Sequence, residues 1–328
     1  MARILITTVP FGSKDDLPIR QLEANGIGYL INPLGRKLKE DELAEMVGNV
    51  EVLIAGTEPI TEKVMASAPR LKLISRVGIG LDSVDLMAAE RRSIKVSYTP
   101  DAPAPAVAEL TIGLMFSLMR SIHVANSRMH RSDWHRYFGR RIGDLTIGIV
   151  GAGRIGGRVL QHLAALGAGR LFVNDINPTV SDYDSIAAVE RADLNVIYRE
   201  SDIVSLHVPL TAQTKNMVRR ENLLLMKPDA MIINTARGGI INEDDLADVL
   251  SAGHLSGAAI DVFCEEPYQG RLTSIERCLL TSHMGSMSID CRTRMEIEAT
   301  EEAIRYLTGK PLEGLVPEAE YQVQREGL

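Results

Sequence analysis

TIGIVGAGRIGGRVLQHL, residues 146–163, decides how the rest of the chain is read. An apolar run, Thr146 to Val150, meets three glycines, Gly151, Gly153 and Gly156, and then Val159, Leu160 and Leu163 recur at the spacing of one buried helix face. Strand, glycine loop and helix in that order match G-x-G-x-x-G in the context that a dinucleotide site needs. The glycines allow a tight turn and let a pyrophosphate approach backbone N–H groups at the positive end of the helix. The next apolar run, RLFVND (170–175), ends in Asp175, close to the ~20-residue spacing at which an acidic side chain meets the adenosine ribose hydroxyls. A carboxylate there accepts hydrogen bonds from the hydroxyls and repels a 2′-phosphate, and NDINP carries no arginine, so the expected cofactor is NAD rather than NADP. The bland alternative is a tight strand-to-helix turn followed by a surface aspartate.

Outward from this stretch, short runs rich in Ile, Val and Leu alternate with helical patterns, the signature of parallel sheets with crossover helices. The first series is RILITT (3–8), GYLINP (28–33), EVLIAG (51–56), LKLISRV (71–77) and KVSYTP (95–100). The second is TIGIVG (146–151), RLFVND (170–175), DIVSLHV (202–208), MIINTAR (231–237), GAAIDVF (257–263) and LLTSH (279–283). Between them Val107, Leu110, Leu114, Leu118 and Ile122 recur at three- and four-residue steps behind Pro103 and Pro105, which predicts one long helix starting near 105. A second helix is expected over roughly 287–308. These two helices are the expected crossings between two α/β domains, and a chain that returns after the second packs its tail, from about 290 onward, on the first domain.

At 328 residues the chain is about twice the ~150 of an average domain, so two domains, each with its own core, are expected. Hydrophobic residues at 45% and charged residues at 24% argue against disorder. A net charge of -7 without a basic block, and 4% aromatics, leave neither a phosphate-tracking stripe nor a base-stacking platform, so nucleic acid is not an expected partner. MARILITT opens the chain as a strand rather than a signal peptide or membrane span, which implies a cytoplasmic protein with no membrane partner. Cys264, Cys278 and Cys291 lie far apart without metal-ligand spacing and read as reduced thiols, with no metal site.

IINTARGGII (232–241) sets Arg237 at the end of a buried strand, ahead of Gly238 and Gly239. Ligands of open α/β sheets bind beyond the carboxyl ends of strands, where an arginine can grip a carboxylate with two parallel hydrogen bonds and the glycines leave room for substrate and nicotinamide. AAIDVFCEEP (258–267) puts Glu266 after the next strand, and LLTSHMGS (279–286) puts His283 after the one beyond. Hydride addition to a carbonyl makes an alkoxide that a nearby imidazolium can discharge. Histidine titrates near neutrality, and an adjacent carboxylate favours its protonated form. Each residue also has a structural reading: an ion pair for Arg237, a solvated turn for Glu266 beside Glu265, and one histidine among seven for His283.

In this order and at these spacings, GAGRIG (151–156), NTARGGIINEDDL (234–246), GAAIDVFCEEP (257–267) and LTSHMGS (280–286) resemble the D-isomer-specific 2-hydroxyacid dehydrogenases. That family includes phosphoglycerate dehydrogenase, glyoxylate/hydroxypyruvate reductase and D-lactate dehydrogenase. SRVGIGLDSVDL (75–86) and AVAELTIGLM (106–115) extend the resemblance over nearly the whole chain. It implies an α/β protein of two doubly wound domains, a Rossmann NAD-binding domain (102–290) inserted into a flavodoxin-like substrate-binding domain (1–101 and 291–328). It implies that Arg237 holds the substrate carboxylate and polarises the C2 oxygen. His283 would give a proton in reduction and take one in oxidation, and Glu266 would orient the imidazole. The backbone of Val77, Gly78, Ile79 and Gly80 would complete the carboxylate pocket. The implied cofactor contacts are Gly151, Gly153, Arg154, Ile155, Gly156 and Asp175; His207 and Val208, with Pro209, on the adenosine side; and Ala236 and Asp261, with Thr235, at the nicotinamide carboxamide. The arm ANSRMHRSDWHRYFGRRIGD (125–144), with Trp134, Tyr137 and Phe138, resembles the family's dimer-forming segment and implies a homodimer through the NAD-binding domain; its plain alternative is a solvent-exposed loop.

The chain departs from the family pattern at three places. Ser282 stands where proline commonly precedes the histidine, and Ser286 stands where Gly or Ala is usual. LIAGTEP (53–59) offers Gly56, Thr57 and Glu58 where phosphoglycerate dehydrogenases often present an arginine to the substrate phosphate. Only about twenty residues follow the second crossing helix, so no appended regulatory domain is expected. Three readings stay open. The first is an NAD-dependent enzyme on a small 2-hydroxy or 2-oxo acid, a D-3-phosphoglycerate dehydrogenase included. The second is a non-catalytic NAD-sensing regulator. The third is an enzyme on formate or phosphite, with Glu266 counting against formate, whose dehydrogenases carry glutamine there.

Overall fold

The computed structural model describes residues 3–177 and 189–326. The chain divides into two compact units, Met1–Pro103 with Met287–Leu328, and Ala104–Ser286. The first holds β1 (Ile4–Ile6), β2 (Tyr29–Ile31), β3 (Val52–Ala55), β4 (Leu73–Arg76) and β5 (Lys95–Tyr98), all parallel in the order β2-β1-β3-β4-β5. Ile4 lies opposite Val52, and Ala55 opposite Arg76. Helices cover both faces, which is why β1, β3 and β4 are buried along their whole length and read as unbroken rather than alternating apolar runs. The helix Ile289–Leu307 packs on β3, β4 and β5, where the Ser75 hydroxyl donates to the Ala299 carbonyl at 2.8 Å. The chain leaves β1 to one side for β2 and returns on the other for β3, so the carboxyl ends of β1 and β3 form the topological switch point of this sheet.

The second unit holds β6 (Thr146–Val150), β7 (Arg170–Asn174), β8 (Val189–Arg191), β9 (Ile203–Leu206), β10 (Met231–Asn234), β11 (Gly257–Ile260) and β12 (Cys278–Leu280). They form one parallel sheet in the order β12-β11-β10-β9-β6-β7-β8, with the switch point between β6 and β9. β8, with the sequence VER, lies outside the apolar runs from which strands are expected. Helix Gly156–Ala165 buries Val159, Leu160 and Leu163. A methyl group on Gly148 of β6 would overlap Ile197 and Ser201, so the glycine lets helix Leu194–Glu200 close on the strand.

The long helix expected from 105 is two helices, Ala104–Met119 and Ile122–Met129, bent by 66°. Ser121 takes a left-handed φ of 50° at the break, and Ile122, which continues the apolar spacing, is exposed. The first of the pair buries Val107, Ala108, Thr111, Leu114, Met115 and Leu118 and packs on β10 and β11. No single described helix is long and apolar enough to cross a membrane, and the described residues include no group of three or more His, Cys, Asp or Glu placed to hold a metal ion.

Candidate active site

At the β6–β9 switch point Gly151 has φ +88° and donates its N–H to the Asn174 carbonyl at 2.8 Å. A Cβ on Gly156 would collide with the Gly151 carbonyl, so the helix can begin hard against the strand end only without one. A Cβ on Gly153 would meet nothing within 4 Å; the backbone there faces open space beside Arg154 and Ile155. This is a cradle of exposed peptide at the start of a ten-residue helix, and it fits the pyrophosphate of a dinucleotide. Asp175, one residue past β7, is tied to the same loop: Oδ2 accepts from Ala152 N at 2.6 Å and Oδ1 from Asn177 N at 2.8 Å.

His207, one residue past β9, donates its N–H to the Val150 carbonyl at 2.7 Å and lies over the glycine loop, close to where Gly151 and Gly156 side chains would be. Its Nε2 is 2.9 Å from the Ser205 hydroxyl, while Nδ1 is buried with no partner among the described residues. Burial pushes the imidazole down to about 3, so His207 is neutral at pH 7. Val208 and Pro209 continue from it, and the Pro209 carbonyl accepts the Thr214 hydroxyl at 2.6 Å.

β10 ends in Asn234, whose side chain turns the chain: Oδ1 accepts from Ala236 N at 3.0 Å and Nδ2 donates to the Arg237 carbonyl at 2.8 Å. The Thr235 hydroxyl lies 2.8 Å from that of Thr111 in the core, and Arg237 Nη1 donates to the Ala236 carbonyl at 2.7 Å. A Cβ on Gly238 would overlap the Phe263 carbonyl. The glycine after the arginine therefore serves close approach, bringing the Arg237 turn against the backbone that leads from β11 to Glu266.

His283 Nδ1 is 3.0 and 2.9 Å from the two oxygens of Glu266, and Glu266 Oε1 also accepts from Phe263 N at 3.2 Å. A carboxylate facing Nδ1 assigns a proton to that nitrogen and leaves Nε2 to exchange one with a ligand. Both side chains keep some exposure, 34% and 22%. His283 has a left-handed φ of 50°, uncommon outside glycine. Asp261, 1% exposed, holds it there: its carbonyl accepts His283 N at 2.8 Å, Oδ1 accepts the Thr281 hydroxyl at 2.6 Å and Met284 N at 2.9 Å, and Oδ2 accepts Gly285 N at 3.0 Å.

The loop Val77–Gly80 belongs to the other unit. Val77 N is taken by the Ala55 carbonyl at 2.9 Å and Gly78 N by the Thr99 hydroxyl at 2.8 Å, while Gly78 itself has φ +135°. Of the four N–H groups, those of Ile79 and Gly80 have no partner among the described residues. Asn234, Thr111, Thr281 and the anchoring role of Asp261 do not follow from the expected pattern of strands and helices. Only Asn234 carried a local signal, an asparagine at a strand end just ahead of a glycine pair.

Residues 112–285 match the family described as D-isomer specific 2-hydroxyacid dehydrogenase, NAD binding domain. The chain is 34% identical over 277 residues to a hydroxypyruvate reductase of Thermotoga maritima, covering 82% of this chain and 89% of that protein. It is 33% identical over 291 residues to a D-3-phosphoglycerate dehydrogenase of Synechocystis, covering 85% of this chain but only 51% of the relative, so the chain spans about half the length of that protein. Among solved structures it resembles a D-lactate dehydrogenase from Aquifex aeolicus complexed with NAD and lactic acid, at 25% identity and a TM-score of 0.83 over 93% of this chain and 96% of that one.

Proposed function

The chain belongs to the D-isomer specific 2-hydroxyacid dehydrogenase family as an NAD-dependent oxidoreductase of the CH–OH group of 2-hydroxy acids, and on that premise we propose that it works as a 2-oxoacid reductase through Arg237, Glu266 and His283. The observation that carries this reading is the pairing of His283 Nδ1 with both oxygens of Glu266, at 3.0 and 2.9 Å. The pairing fixes the ring and directs Nε2 outward as the proton donor in reduction and the acceptor in oxidation. NAD, when bound, supplies the hydride at its nicotinamide. The Gly151–Gly156 loop receives the pyrophosphate on backbone N–H groups, Asp175 accepts the ribose hydroxyls, and His207, Val208 and Pro209 border the adenosine.

Asp261 Oδ2 accepts one hydrogen bond inside the loop and keeps a lone pair for the carboxamide amino group, beside Thr235 and Ala236. Arg237 grips the substrate carboxylate and draws electron density from the C2 oxygen. Ala104–Ser286 is the NAD-binding domain; Met1–Pro103 with Met287–Leu328 binds substrate and offers the N–H groups of Ile79 and Gly80 to a carboxylate.

The test is NADH oxidation followed by absorbance with glyoxylate, hydroxypyruvate, pyruvate and longer 2-oxo acids, repeated with NADPH. Turnover with NADH and little with NADPH is expected; silence across the panel in a protein that binds NADH would overturn the reading in favour of a regulator. His283→Ala abolishes turnover while NADH fluorescence titrates normally, and near-normal rates would remove His283 from the chemistry.

A further inference from the structure

A buried carboxylate sits at the other switch point of the molecule, and none of the roles above uses it. Glu58 follows β3 and is 1% exposed. Its Oε1 accepts the Thr7 hydroxyl and, at 2.9 Å, Gly56 N; its Oε2 accepts nothing and Glu58 forms no ion pair among the described residues. Oε2 lies 2.8 Å from where a Gly56 Cβ would stand, beside Thr8, so a side chain at position 56 would displace it. An acceptor oxygen with no donor of its own gains one from a bound ligand that carries a hydroxyl or an ammonium.

The buried cation beside Thr8 is already committed. Arg292 donates Nε to Glu296 at 2.6 Å and Nη2 to the Thr8 hydroxyl at 2.8 Å and to the Pro10 carbonyl; Glu296 also accepts Gly12 N at 2.8 Å. Arg76 lies under Gly78 and donates to the Val77 carbonyl. What remains at the carboxyl ends of β1 and β3 is a carboxyl oxygen without a donor among the described residues.

Segment 55–60 runs alongside segment 77–85: Val77 N donates to Ala55 at 2.9 Å, Ile60 N to Ser83 at 2.7 Å, and Asp85 N to Ile60 at 3.0 Å. A ligand whose carboxylate rests on the N–H groups of Ile79 and Gly80 thus has Glu58 at hand for its other end. We propose that Glu58 sets substrate specificity, selecting a 2-oxo acid that presents a hydrogen-bond donor, hydroxyl or ammonium, at the end remote from its carboxylate, and rejecting one that carries a second anion there. This rests on the reading of residues 79 and 80 as carboxylate ligands in a 2-oxoacid reductase.

The experiment measures kcat/KM of the wild type and of Glu58→Gln with glyoxylate, which has no distal group, with hydroxypyruvate, with a 2-oxo acid ending in an ammonium, and with 2-oxoglutarate and 3-phosphohydroxypyruvate as second anions. Expected for the wild type is a ratio to glyoxylate above about tenfold for one of the two donor substrates and below unity for both anions. The two donor arms tell hydroxyl from ammonium. Glu58→Gln lowers the donor ratio about tenfold and raises the anion ratios. A wild type that prefers either anion, or a folded Glu58→Gln enzyme with unchanged ratios, overturns the inference while leaving the reductase reading intact. A wild type that reduces no 2-oxo acid removes the reading itself. Should Glu58→Gln not fold, the wild-type ratios alone decide.

Discussion

Asp261 and Thr281 are joined by a 2.6 Å hydrogen bond between carboxylate and hydroxyl, the shortest of the contacts by which the end of β11 holds the segment carrying His283. Three donors meet two carboxylate oxygens. In Asp261→Asn one oxygen becomes an amide that turns N–H against N–H, costing about 1–3 kcal/mol. It also frees His283 from its left-handed conformation, and a displacement of an ångström lowers kcat on the order of a hundredfold. Melting and turnover are to be measured together; an enzyme with undiminished kcat would show that the clamp does not position the histidine.

Gly238→Ala drives a methyl group into the Phe263 carbonyl, backbone against backbone, where no side chain can swing aside. The expected loss is about 1–3 kcal/mol, read as a lower urea midpoint, together with weakened substrate binding as the Arg237 turn lifts from β11. An unaltered midpoint with normal KM would refute the close-approach role of this glycine.

His207 links stability to pH. Its folded value lies near 3 and its unfolded value near 6.5, so at pH 7 both states are neutral and the residue contributes nothing. Below about 6.5 the unfolded chain takes up a proton that the folded protein refuses, and stability falls by up to about 1.4 kcal/mol per pH unit toward pH 3. His207→Asn, compared with the wild type by urea unfolding at pH 7 and pH 5, flattens that acid slope. Parallel slopes would mean other groups govern it.

Tyr198 is 2% exposed, with its hydroxyl buried and without a partner among the described residues; burial raises it to about 12. Tyr198→Phe removes a polar group that has no bond to lose, so the variant gains about 1 kcal/mol. A lower melting temperature would reveal a partner for the hydroxyl, a bound water being the simplest.

The features that could be read in advance share one property: they are local. Gly151, Gly153 and Gly156 sit within one turn, and Arg237, Glu266 and His283 each lie a few residues past an apolar run, so periodicity and punctuation put them beyond strand ends, while the roles proposed for them come from the family resemblance. β8 escaped because its three residues, Val189, Glu190 and Arg191, carry no apolar run, and its place in the sheet comes from pairing with β7. The break at Ser121 escaped because Ile122 keeps the helical spacing while a single left-handed residue redirects the chain. Asp261 could be located but not understood: its partners lie 20 to 24 positions onward and become visible only once β11 and β12 are side by side.

β8 also bears on how the protein behaves at high concentration. A parallel sheet ends in a row of open peptide groups able to recruit a strand from another chain. Among the described residues that margin is three residues long, and it is charged. Glu190 is clasped by Arg170 through two hydrogen bonds of 3.0 and 2.8 Å, and the same guanidinium reaches Glu200 and lies 4.3 Å over the Phe172 ring. A strand arriving from solution would have to strip water from these charges before its backbone could pair, so this border of the sheet resists aggregation by its chemistry.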